Sequence, residues 1–305
     1  MPVVVDMDGR LVSPREATVS VFDRGFLYGD SVYEVVRTYA FRPFELTRHL
    51  ERLGRSARRL ALTLPWDAAR IRAELLRTLE ASRGGDPADP PETAPWNAGE
   101  RSIRIIMTRG AGEVGLDPAL AVEPRAIVIA GPLRAPPARA YREGAGCRIV
   151  GVRHDAPDAV DTTAKTGAHL SNVLAMKEAR EAGAHEALLL DRDGFVTEGA
   201  SSNVFAVRGG RLETPSLAAG ILEGVTRGIV IELAQAEGLP VREAALRPDD
   251  LAGADEIFIT STAREILPVT VLDGRAVGSG RVGPCTTRLH ASFRRRASGS
   301  EEALV

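Results

Sequence analysis

The chain has 305 residues, of which 44% are hydrophobic and 26% charged, and its formal net charge at pH 7 is −2. This balance gives no electrostatic basis for binding nucleic acid, and no apolar run approaches the roughly 20 residues of a membrane span. The first ten residues lack the regions of a secretory signal peptide, and two cysteines do not make a disulfide framework. We therefore expect a soluble cytoplasmic protein that binds neither nucleic acid nor a membrane.

The first third of the chain is typical of strands followed by helices. Short hydrophobic segments on either side of Asp8-Gly9 predict a β-hairpin, and SVYEVVRTYA, rich in β-branched and aromatic residues, predicts a longer strand. Thr47 is expected to cap a helix, and a second helix is expected from about Asp67 to Ala81. The apolar residues at helical spacing in the first helix are Leu50, Leu53, Ala57 and Leu60.

Two segments interrupt this pattern and bear on domain boundaries. Residues 83–100 are rich in proline and glycine, and we interpret them as a surface excursion because a strand pattern, SIRIIMT, resumes directly afterwards. Residues 131–141 follow another strand pattern and contain three prolines, so they are interpreted as an interdomain linker. The sequence therefore predicts a small N-terminal α/β domain over residues 1–130 and a larger domain over residues 142–305.

Beyond the linker, strand and helix patterns alternate. Helical spacing predicts helices from Leu170 to Ala182 and from Gly224 to Glu237. The predicted strands are CRIVGV, EALLLD, SNVFAV and EIFITST. The predicted fold class is α+β with mixed sheets.

Three features imitate functional motifs. GAGEVG, residues 110–115, matches a dinucleotide-binding glycine pattern, but Pro118 and Pro124 leave no room for the helix that such a site requires, so a flexible loop is predicted. No two of the five histidines are four residues apart and no CxxC occurs, so no metal site is predicted. The segment GASSN around Ser201 is not a nucleophile elbow.

Lysine is scarce in this chain: Lys165 and Lys177 are the only lysines among 39 Lys and Arg residues. An arginine stays protonated, whereas a lysine amine can lose its proton and attack a carbonyl. Lys177 lies in the middle of a predicted helix among acidic residues, which predicts a solvated charge. Lys165 follows the polar run DTTA at the edge of a predicted element and is the candidate for a Schiff base. The scarcity of lysine alone supports a functional position and a chance position equally.

The segments that follow Lys165 resemble a known family. KTGAHLSNVLA and EALLLDRDGFVTEGASSNVF are similar to motifs of the fold-type-IV (class IV) pyridoxal-phosphate aminotransferases and lyases. The blocks that extend this resemblance over most of the chain, in the family's order, are DRGFLYGDSVYEVVR, HLERL, GILEGVTR and STAREILPVTVLDG. The resemblance implies a two-domain fold, with a small α/β N-terminal domain and a larger domain built on a mixed, barrel-like sheet.

The resemblance also implies how pyridoxal 5′-phosphate would be bound. Lys165 would form the Schiff base and then move the proton on the α-carbon of the substrate, and Glu198 would keep the cofactor's ring nitrogen protonated. The phosphate would be bound by an arginine, by the free N–H groups of a helix N-terminus and by hydroxyls. The residues at these positions are Arg52, Val225, Thr226, Ser261 and Thr262.

Several positions match the substrate site of branched-chain aminotransferases. Arg37 and Arg104 stand where that subgroup carries arginines that could bind the second carboxylate of glutamate, and Thr262-Ala263 fits its carboxylate-binding turn. Tyr33 would line the pocket. Tyr28 would reach it from the neighbouring subunit, because the family implies a homodimer with active sites at the interface.

Other positions depart from the branched-chain pattern. Leu170 stands where those enzymes carry a tyrosine that contacts the cofactor, and Val35 replaces their glycine, as in the D-amino-acid and lyase subgroups. However, TRGAGEVGLDP lacks the R-x-H segment of the D-amino-acid enzymes. The choice between L and D donors, and between amino acids and simple amines, therefore stays open.

The predicted activity is transfer of an amino group between a branched-chain L-amino acid and 2-oxoglutarate through Lys165. The alternatives are a D-amino-acid or amine transaminase, an aminodeoxychorismate lyase that releases pyruvate, and a catalytically silent protein that binds the cofactor. Each of these alternatives keeps Lys165 and the cofactor, so they differ only in the chemistry that follows cofactor binding.

Overall fold

A computed structural model describes residues 3–83, 92–153 and 162–299. Within these residues an N-terminal sheet has the strand order β2-β1-β6-β5-β3-β4, with antiparallel neighbours throughout. The N-terminal elements, in chain order, are β1 Val4–Met7, β2 Arg10–Val12, α1 Arg24–Tyr28, β3 Ser31–Tyr39, β4 Arg42–Pro43, α2 Leu46–Arg59, α3 Ala68–Ala81, β5 Arg101–Gly112 and β6 Ala121–Pro132.

Helices α2 and α3 cover one face of this sheet and form its core. Leu53 and Leu75 pack against strand residues such as Val36, Ile105 and Val128, and all five side chains are fully buried. The apolar residues recur at helical spacing in α2 and α3 and alternate along β5, which places them on a common face. The predicted elements of the first third are therefore confirmed.

The starts of the two helices differ from each other. The side chain of Asp67 caps α3 by accepting a hydrogen bond from the N–H of Arg70 at 2.7 Å. In contrast, α2 begins at Leu46 after Glu45, which has a left-handed backbone and makes no side-chain cap. The prediction that Thr47 caps this helix is wrong, because the cap position is taken by Glu45, two residues earlier, and the helix begins without a side-chain cap.

The proline-rich segment before β5 is partly buried. Residues 84–91 lie outside the described part of the chain, but residues 92–100 contain a short 3-10 helix, Pro95–Asn97. Asn97 is buried and accepts a hydrogen bond from Arg37 at 3.0 Å, while the carboxylate of Glu100 accepts from the hydroxyl of Thr38 at 2.6 Å. Residues 92–100 therefore lie mostly at the surface, as expected for an excursion, and are anchored to the N-terminal sheet by the buried Asn97 and by Glu100.

The glycine-rich segment 110–115 leads from β5 towards β6 without a crossover helix. Gly110 has a φ of +99°, and a Cβ at this position would lie 1.8 Å from the carbonyl oxygen of Glu123. Only glycine allows this close approach of the two strands. The exclusion of a dinucleotide-binding motif is confirmed, although residues 110–112 form the end of a strand rather than a loop.

The C-terminal part is built on a second sheet of mixed direction. Its strand order is β12-β11-β10-β13-β14-β7-β8-β9, with β15 paired to β14. The elements are α4 Ala138–Glu143, β7 Ala145–Arg153, α5 Leu170–Glu181, β8 Glu186–Leu190, β9 Val196–Gly199, β10 Asn203–Arg208, β11 Arg211–Thr214, α6 Val225–Ala236, β12 Val241–Glu243, α7 Pro248–Ala252, β13 Glu256–Ser261, β14 Glu265–Leu272, β15 Arg275–Ala276 and α8 Pro284–Gly299.

The second sheet curls on itself. The three residues 200–202 connect β9, at one end of the strand order, directly to β10, and such a short connection spans at most about 14 Å. The six strands from β10 to β9 therefore wrap into a barrel-like arrangement around an apolar interior that includes Leu188, Val204 and Ile259. The predicted fold class, with mixed sheets and a barrel-like core in the larger part, is confirmed.

Helices α6 and α8 pack against the outside of this sheet. Phe258, Ile229 and Phe293 form a buried cluster between them, and the predicted boundaries of α5 and α6 agree with the observed ones to within one residue. Across the described residues, no helix is long and apolar enough to cross a membrane.

A buried carboxylate joins the two sheets. Glu265, at the start of β14, accepts hydrogen bonds from the hydroxyl of Tyr39 at 2.7 Å and from Arg294 at 2.9 Å. Its carboxylate also lies 3.1 Å from a guanidinium nitrogen of Arg37 and 2.7 Å from the Nε2 atom of His290. Tyr39 and Arg37 belong to β3, whereas His290 and Arg294 belong to α8. This cluster therefore fixes the N-terminal sheet, β14 and the last helix against one another.

We predict a specific acid sensitivity from this cluster. Burial alone raises the pKa of Glu265, but the hydrogen bond from His290 and the charges of Arg37 and Arg294 outweigh it and lower the pKa from 4.5 to about 2. The unfolded chain takes up this proton first as the pH falls, so the stabilisation by Glu265 is complete above pH 4.5 and is lost towards pH 2.

The measurement is the melting temperature as a function of pH. The wild type is expected to lose stability more steeply below pH 4.5 than Glu265→Gln, which is less stable at neutral pH but lacks this titration. Glu80→Gln serves as the control, because the Glu80 side chain is 66% exposed and pairs with Arg83 three residues on. Parallel curves for the wild type and Glu265→Gln would contradict the assignment.

Candidate active site

A cavity of about 1030 Å³ is lined by side chains from both sheets and from the segment between them. Tyr33, Val35 and Arg104 enter it from the N-terminal sheet and Arg52 from α2. From the C-terminal part come Lys165, the end of β9, the start of α6 and the turn 261–264. Of the residues predicted for the site, this cavity gathers Lys165, Arg52, Glu198, Val225, Thr226, Ser261, Thr262, Tyr33, Arg104 and Ala263.

Lys165 is held by its backbone at the edge of the cavity. Its N–H donates to the hydroxyl of Ser56 at 3.0 Å, and its carbonyl accepts from the N–H of Tyr33 at 3.0 Å. The Nζ atom lies 4.4 Å from the centre of the Tyr33 ring. Both anchors belong to the N-terminal elements α2 and β3, so the C-terminal part contributes the lysine and the N-terminal part fixes its position.

Lys177 has the opposite setting. Its side chain is 68% exposed on α5 and its Nζ atom pairs with Glu181 at 2.8 Å, four residues on. The hydrogen bond to this carboxylate raises the pKa of Lys177, which keeps the amine protonated and unreactive. The interpretation of Lys177 as a solvated helix charge is confirmed.

Tyr33 is the common neighbour of the polar groups near Lys165. The guanidinium of Arg104 lies 4.2 Å from the centre of its ring, and the ring of His169 meets it edge-on at 5.1 Å. Lys165, Arg104 and His169 therefore contact one buried aromatic ring, which fixes their relative positions in the cavity.

Glu198 lies near the end of β9 and lines the cavity. Its Oε2 atom accepts hydrogen bonds from the side-chain amide of Asn203 and from the N–H of Leu222, both at 3.1 Å. These two hydrogen bonds fix the orientation of the carboxylate in the cavity wall. Glu198 is therefore arranged to stabilise a protonated, positively polarised group of a bound molecule.

The N-terminus of α6 forms an anion site at another part of the cavity wall. Gly224, the cap residue, has no side chain to bind the first N–H groups of the helix, those of Val225 and Thr226. A Cβ at Gly224 would lie 2.0 Å from the side-chain oxygen of Asn203, so this position requires glycine. The free N–H groups and the helix dipole suit a phosphate group.

Arg52 extends this anion site from the N-terminal part. Its guanidinium donates two hydrogen bonds to Glu34, at 2.7 and 2.8 Å, and one to the carbonyl of Glu223 at 2.8 Å. Burial alone raises the pKa of Glu34, but the charge of Arg52, with His49 at 2.8 Å, holds that pKa well below its usual range. Arg52 is thus held rigidly beside α6 with two of its five N–H groups left for a ligand.

The turn 261–264 closes the same part of the cavity. Ser261, Thr262 and Ala263 line it, and the preceding Thr260 is fully buried with a hydroxyl that has no hydrogen-bond partner among the described residues. A buried hydroxyl without a partner costs about 1–3 kcal/mol. A polar ligand that reached this hydroxyl would recover that cost.

The charge of the cavity is strongly unbalanced. In the described part of the chain, Glu198 is the only carboxylate in the lining, against Lys165 and six arginines. These arginines are Arg52, Arg104, Arg134, Arg139, Arg180 and Arg264. Such a lining favours anionic occupants, in particular molecules with phosphate or carboxylate groups.

Two residues predicted for the substrate site lie elsewhere in the chain. Arg37 is fully buried in the Glu265 cluster and does not line the cavity, so the expectation that it contacts substrate is not supported by its position in this chain. Tyr28 is 38% exposed beside Arg24 and lies outside the lining. Its expected role needs a neighbouring subunit and stays a prediction.

Leu170 does not occupy the place expected for it. Its side chain is 72% exposed and outside the cavity lining, whereas His169, directly before α5, lines the cavity. Side chains of successive helical residues point about 100° apart, so a helix starting at Leu170 directs this residue away from Lys165. Leu170, which stands at the position of the family's tyrosine, therefore does not line the cavity in this chain.

Three residues that shape the site are absent from the sequence-based prediction. Glu34 lies in a segment whose pattern predicts only a strand, although a carboxylate in an apolar strand next to an arginine-rich helix suggests a buried pair. Asn203 belongs to a family motif, but the motif alone assigns it no role. His169 has the pattern of an ordinary histidine, and no spacing signal shows that it lines the cavity beside Lys165.

The chain matches the family model for amino-transferase class IV over residues 31–272 and belongs to that family. It is 39% identical over 288 residues to a putative branched-chain-amino-acid aminotransferase of Methanocaldococcus jannaschii, covering 94% of each chain. It is 32% identical over 286 residues to a D-alanine aminotransferase of Bacillus licheniformis, again covering 94% of each.

Solved structures of the family have the same fold. The branched-chain aminotransferase of Thermoproteus uzoniensis with norvaline superposes with a TM-score of 0.86 at 32% identity, covering 98% of this chain and 96% of that one. The branched-chain amino acid aminotransferase of Escherichia coli gives 0.86 at 31% identity, with the same coverage. A T.th. branched-chain enzyme with pyridoxamine 5′-phosphate gives 0.87 at 30% identity, covering 98% and 95%. The family resemblance inferred from the sequence motifs is therefore confirmed.

Proposed function

We propose that this chain transfers the amino group of a branched-chain L-amino acid to 2-oxoglutarate, with pyridoxal 5′-phosphate bound at Lys165. The observation that carries the proposal is the meeting of three groups in one cavity: the Lys165 amine, the Glu198 carboxylate and the uncapped start of α6. Family membership and the branched-chain relatives support the same conclusion.

The residues of the cavity fit this cofactor. Its phosphate suits the free N–H groups of Val225 and Thr226 together with Arg52, since helix N-termini and guanidinium forks both favour phosphate. Its ring nitrogen suits Glu198, whose carboxylate is already held by two donors. The hydroxyls of the turn 261–264 add further donors beside the phosphate.

The chain's own residues would carry the proton transfers. When bound, pyridoxal phosphate supplies an electron sink for the negative charge that develops at the substrate's α-carbon. Lys165 Nζ would accept the proton that leaves the substrate's α-carbon and would donate it to the carbon of the cofactor's aldehyde group. Glu198 would hold the proton on the ring nitrogen. Tyr33 and Arg104 would orient the substrate and exclude water above Lys165.

The substrate assignment is based on charge and on the relatives. A cavity with one carboxylate and many cations suits 2-oxoglutarate, which carries two carboxylates, and Arg104 is available to bind the second. D-amino-acid transfer is the second candidate, because the D-alanine aminotransferase of Bacillus licheniformis covers as much of this chain as the branched-chain relative does. Pyruvate release from aminodeoxychorismate is the third candidate activity.

We also propose that the protein is a cytoplasmic homodimer. Phe22, Phe26 and Tyr28 are 38–65% exposed around α1, and Leu170 and Val173 are 60–72% exposed at the start of α5. Exposed apolar residues grouped in this way are typical of protein interfaces. Both cysteines are free thiols, which suits a reducing compartment.

The role of Arg52 gives a first prediction. Arg52→Gln is expected to weaken binding of pyridoxal 5′-phosphate by about 10- to 100-fold, because one or two charge-assisted hydrogen bonds to phosphate are lost. Binding of pyridoxal, which lacks the phosphate, should change little. Equilibrium dialysis of the apoenzyme with each ligand measures both constants.

Two comparisons make this prediction specific. Arg55→Gln, on the same helix but paired with the side chain of Glu223 at the surface, should bind both ligands like the wild type. If Arg52→Gln loses affinity for pyridoxal as strongly as for its phosphate, the residue supports the fold around Glu34 rather than the phosphate.

The substrate gives a second prediction. Mixing the holoenzyme with single amino acids and following its absorption spectrum measures the first half of the transfer reaction without an acceptor. L-leucine, L-isoleucine, L-valine and L-glutamate are expected to react, and D-alanine and simple amines are expected to react much more slowly. Reaction with D-alanine alone would move the assignment to D-amino acids.

A further inference from the structure

Arg264 is a cavity arginine to which the sequence motifs assign no role. It ends the turn 261–264 and lines the cavity together with the other residues of that turn. Its side chain is 22% exposed, whereas Arg139 and Arg180, which also line the cavity, are exposed residues. Of these three arginines, Arg264 is therefore the most enclosed.

Arg264 is held in place through both its backbone and its side chain. Its N–H donates to the hydroxyl of Ser261 at 3.3 Å, and its carbonyl accepts from the hydroxyl of Tyr141 at 3.1 Å. At the end of the side chain, the Nη1 atom donates to the hydroxyl of Ser201 at 2.9 Å and pairs with the carboxylate of Glu186 at 2.9 Å. One nitrogen of the guanidinium thus ties the turn to the connection between β9 and β10.

Glu186 is the buried anchor of this side chain. It is fully buried, and its carboxylate also accepts from the hydroxyls of Ser201 at 2.7 Å and Ser202 at 3.2 Å. These donors orient the carboxylate, which in turn restricts the guanidinium of Arg264. A side chain that is ordered in advance loses less conformational entropy when a ligand binds.

The other two guanidinium nitrogens of Arg264 remain for a ligand. Nε and Nη2 together carry three N–H groups, and they make no hydrogen bond among the described residues. The backbone N–H groups of Thr262 and Ala263, in the same turn, likewise have no partner in the described part of the chain. Guanidinium and backbone donors on one turn suit an anion with two oxygens, such as a carboxylate.

Arg264 and Arg104 enter the cavity from different parts of the chain. Arg104 belongs to β5, and its guanidinium packs over the ring of Tyr33 at 4.2 Å, whereas Arg264 belongs to the C-terminal turn. Backbone N–H groups and an anchored guanidinium cannot follow a ligand group that moves from one substrate to the next. They suit the carboxylate on the reacting carbon, because its position is the same in every amino acid and 2-oxo acid.

We propose that Arg264 binds the carboxylate on the reacting carbon of the substrate. It thereby selects amino acids and 2-oxo acids, which carry this group, over simple amines, which lack it. The inference rests on the proposed transamination with pyridoxal phosphate at Lys165. Glu186 is a positioning residue for the guanidinium, and Arg104 is left for the second carboxylate of glutamate and 2-oxoglutarate.

The test compares three unreactive ligands of the holoenzyme by calorimetric titration. They are 4-methylpentanoate, which has the carbon skeleton of leucine, its uncharged amide, and the dicarboxylate glutarate. Arg264→Gln is expected to weaken binding of both carboxylates about tenfold, because a charge-assisted hydrogen bond is lost, and to change binding of the amide little. Arg104→Gln should weaken glutarate alone.

Three variants separate recognition from stability. Arg264→Lys keeps the charge and should recover part of the affinity for 4-methylpentanoate. Arg264→Gln combined with Glu186→Gln removes both charges of the pair, which avoids a buried unpaired carboxylate, and should show the same selective loss. Arg148→Gln, on β7 outside the lining and paired with Asp273 at 3.5 Å, should bind all three ligands like the wild type.

The outcomes that would overturn the proposal are distinct from a failure of the proposed function. If Arg264→Gln loses affinity for the amide as strongly as for 4-methylpentanoate, the residue supports the fold of the cavity wall. If the loss is confined to glutarate, Arg264 binds the second carboxylate. Either result would overturn the proposal. A wild-type protein that forms no visible absorption band with pyridoxal phosphate would instead refute the binding of the cofactor at Lys165.

Discussion

The cavity depends on Glu265, the buried carboxylate that ties the two sheets together. The residue is fully buried and its backbone has a φ of +57°, a left-handed conformation that costs roughly 1–3 kcal/mol in a residue other than glycine. Donors from β3 and α8 compensate for this, and losing one would leave a buried charge incompletely paired. The cavity turn 261–264 ends directly before Glu265, so the N-terminal sheet and the last helix position a wall of the site from outside it.

The sequence was sufficient to predict the helices and strands and to identify residues at their ends. Periodicity located α3, α5 and α6, and the position of Lys165 at an element edge separated it from Lys177. Periodicity could not show which way a side chain points where a loop becomes a helix, so it gave no sign that His169 lines the cavity while Leu170 is exposed. The buried pair of Arg37 and Glu265 could not be predicted for a related reason: the two residues are 228 positions apart in the chain, and no local pattern links them.

Residues from both the N-terminal and the C-terminal part of the chain build the cavity. The C-terminal part supplies the amine of Lys165, the carboxylate of Glu198 and the uncapped start of α6, while the N-terminal part supplies Tyr33, Arg104 and Arg52. Apart from Glu198, the charged side chains in the described lining are cationic. Their positive potential favours both an anionic cofactor and an anionic acceptor.

The central claim is that the Lys165 amine is the one that binds the cofactor. Reducing the holoenzyme with borohydride makes the linkage permanent, and mass spectrometry of a digest then locates the added group. Only two lysines are present, so the outcome is unambiguous. We expect one modified residue, Lys165, with Lys177 unmodified. A cofactor found on Lys177, or no modified lysine in a protein loaded with pyridoxal phosphate, would contradict it.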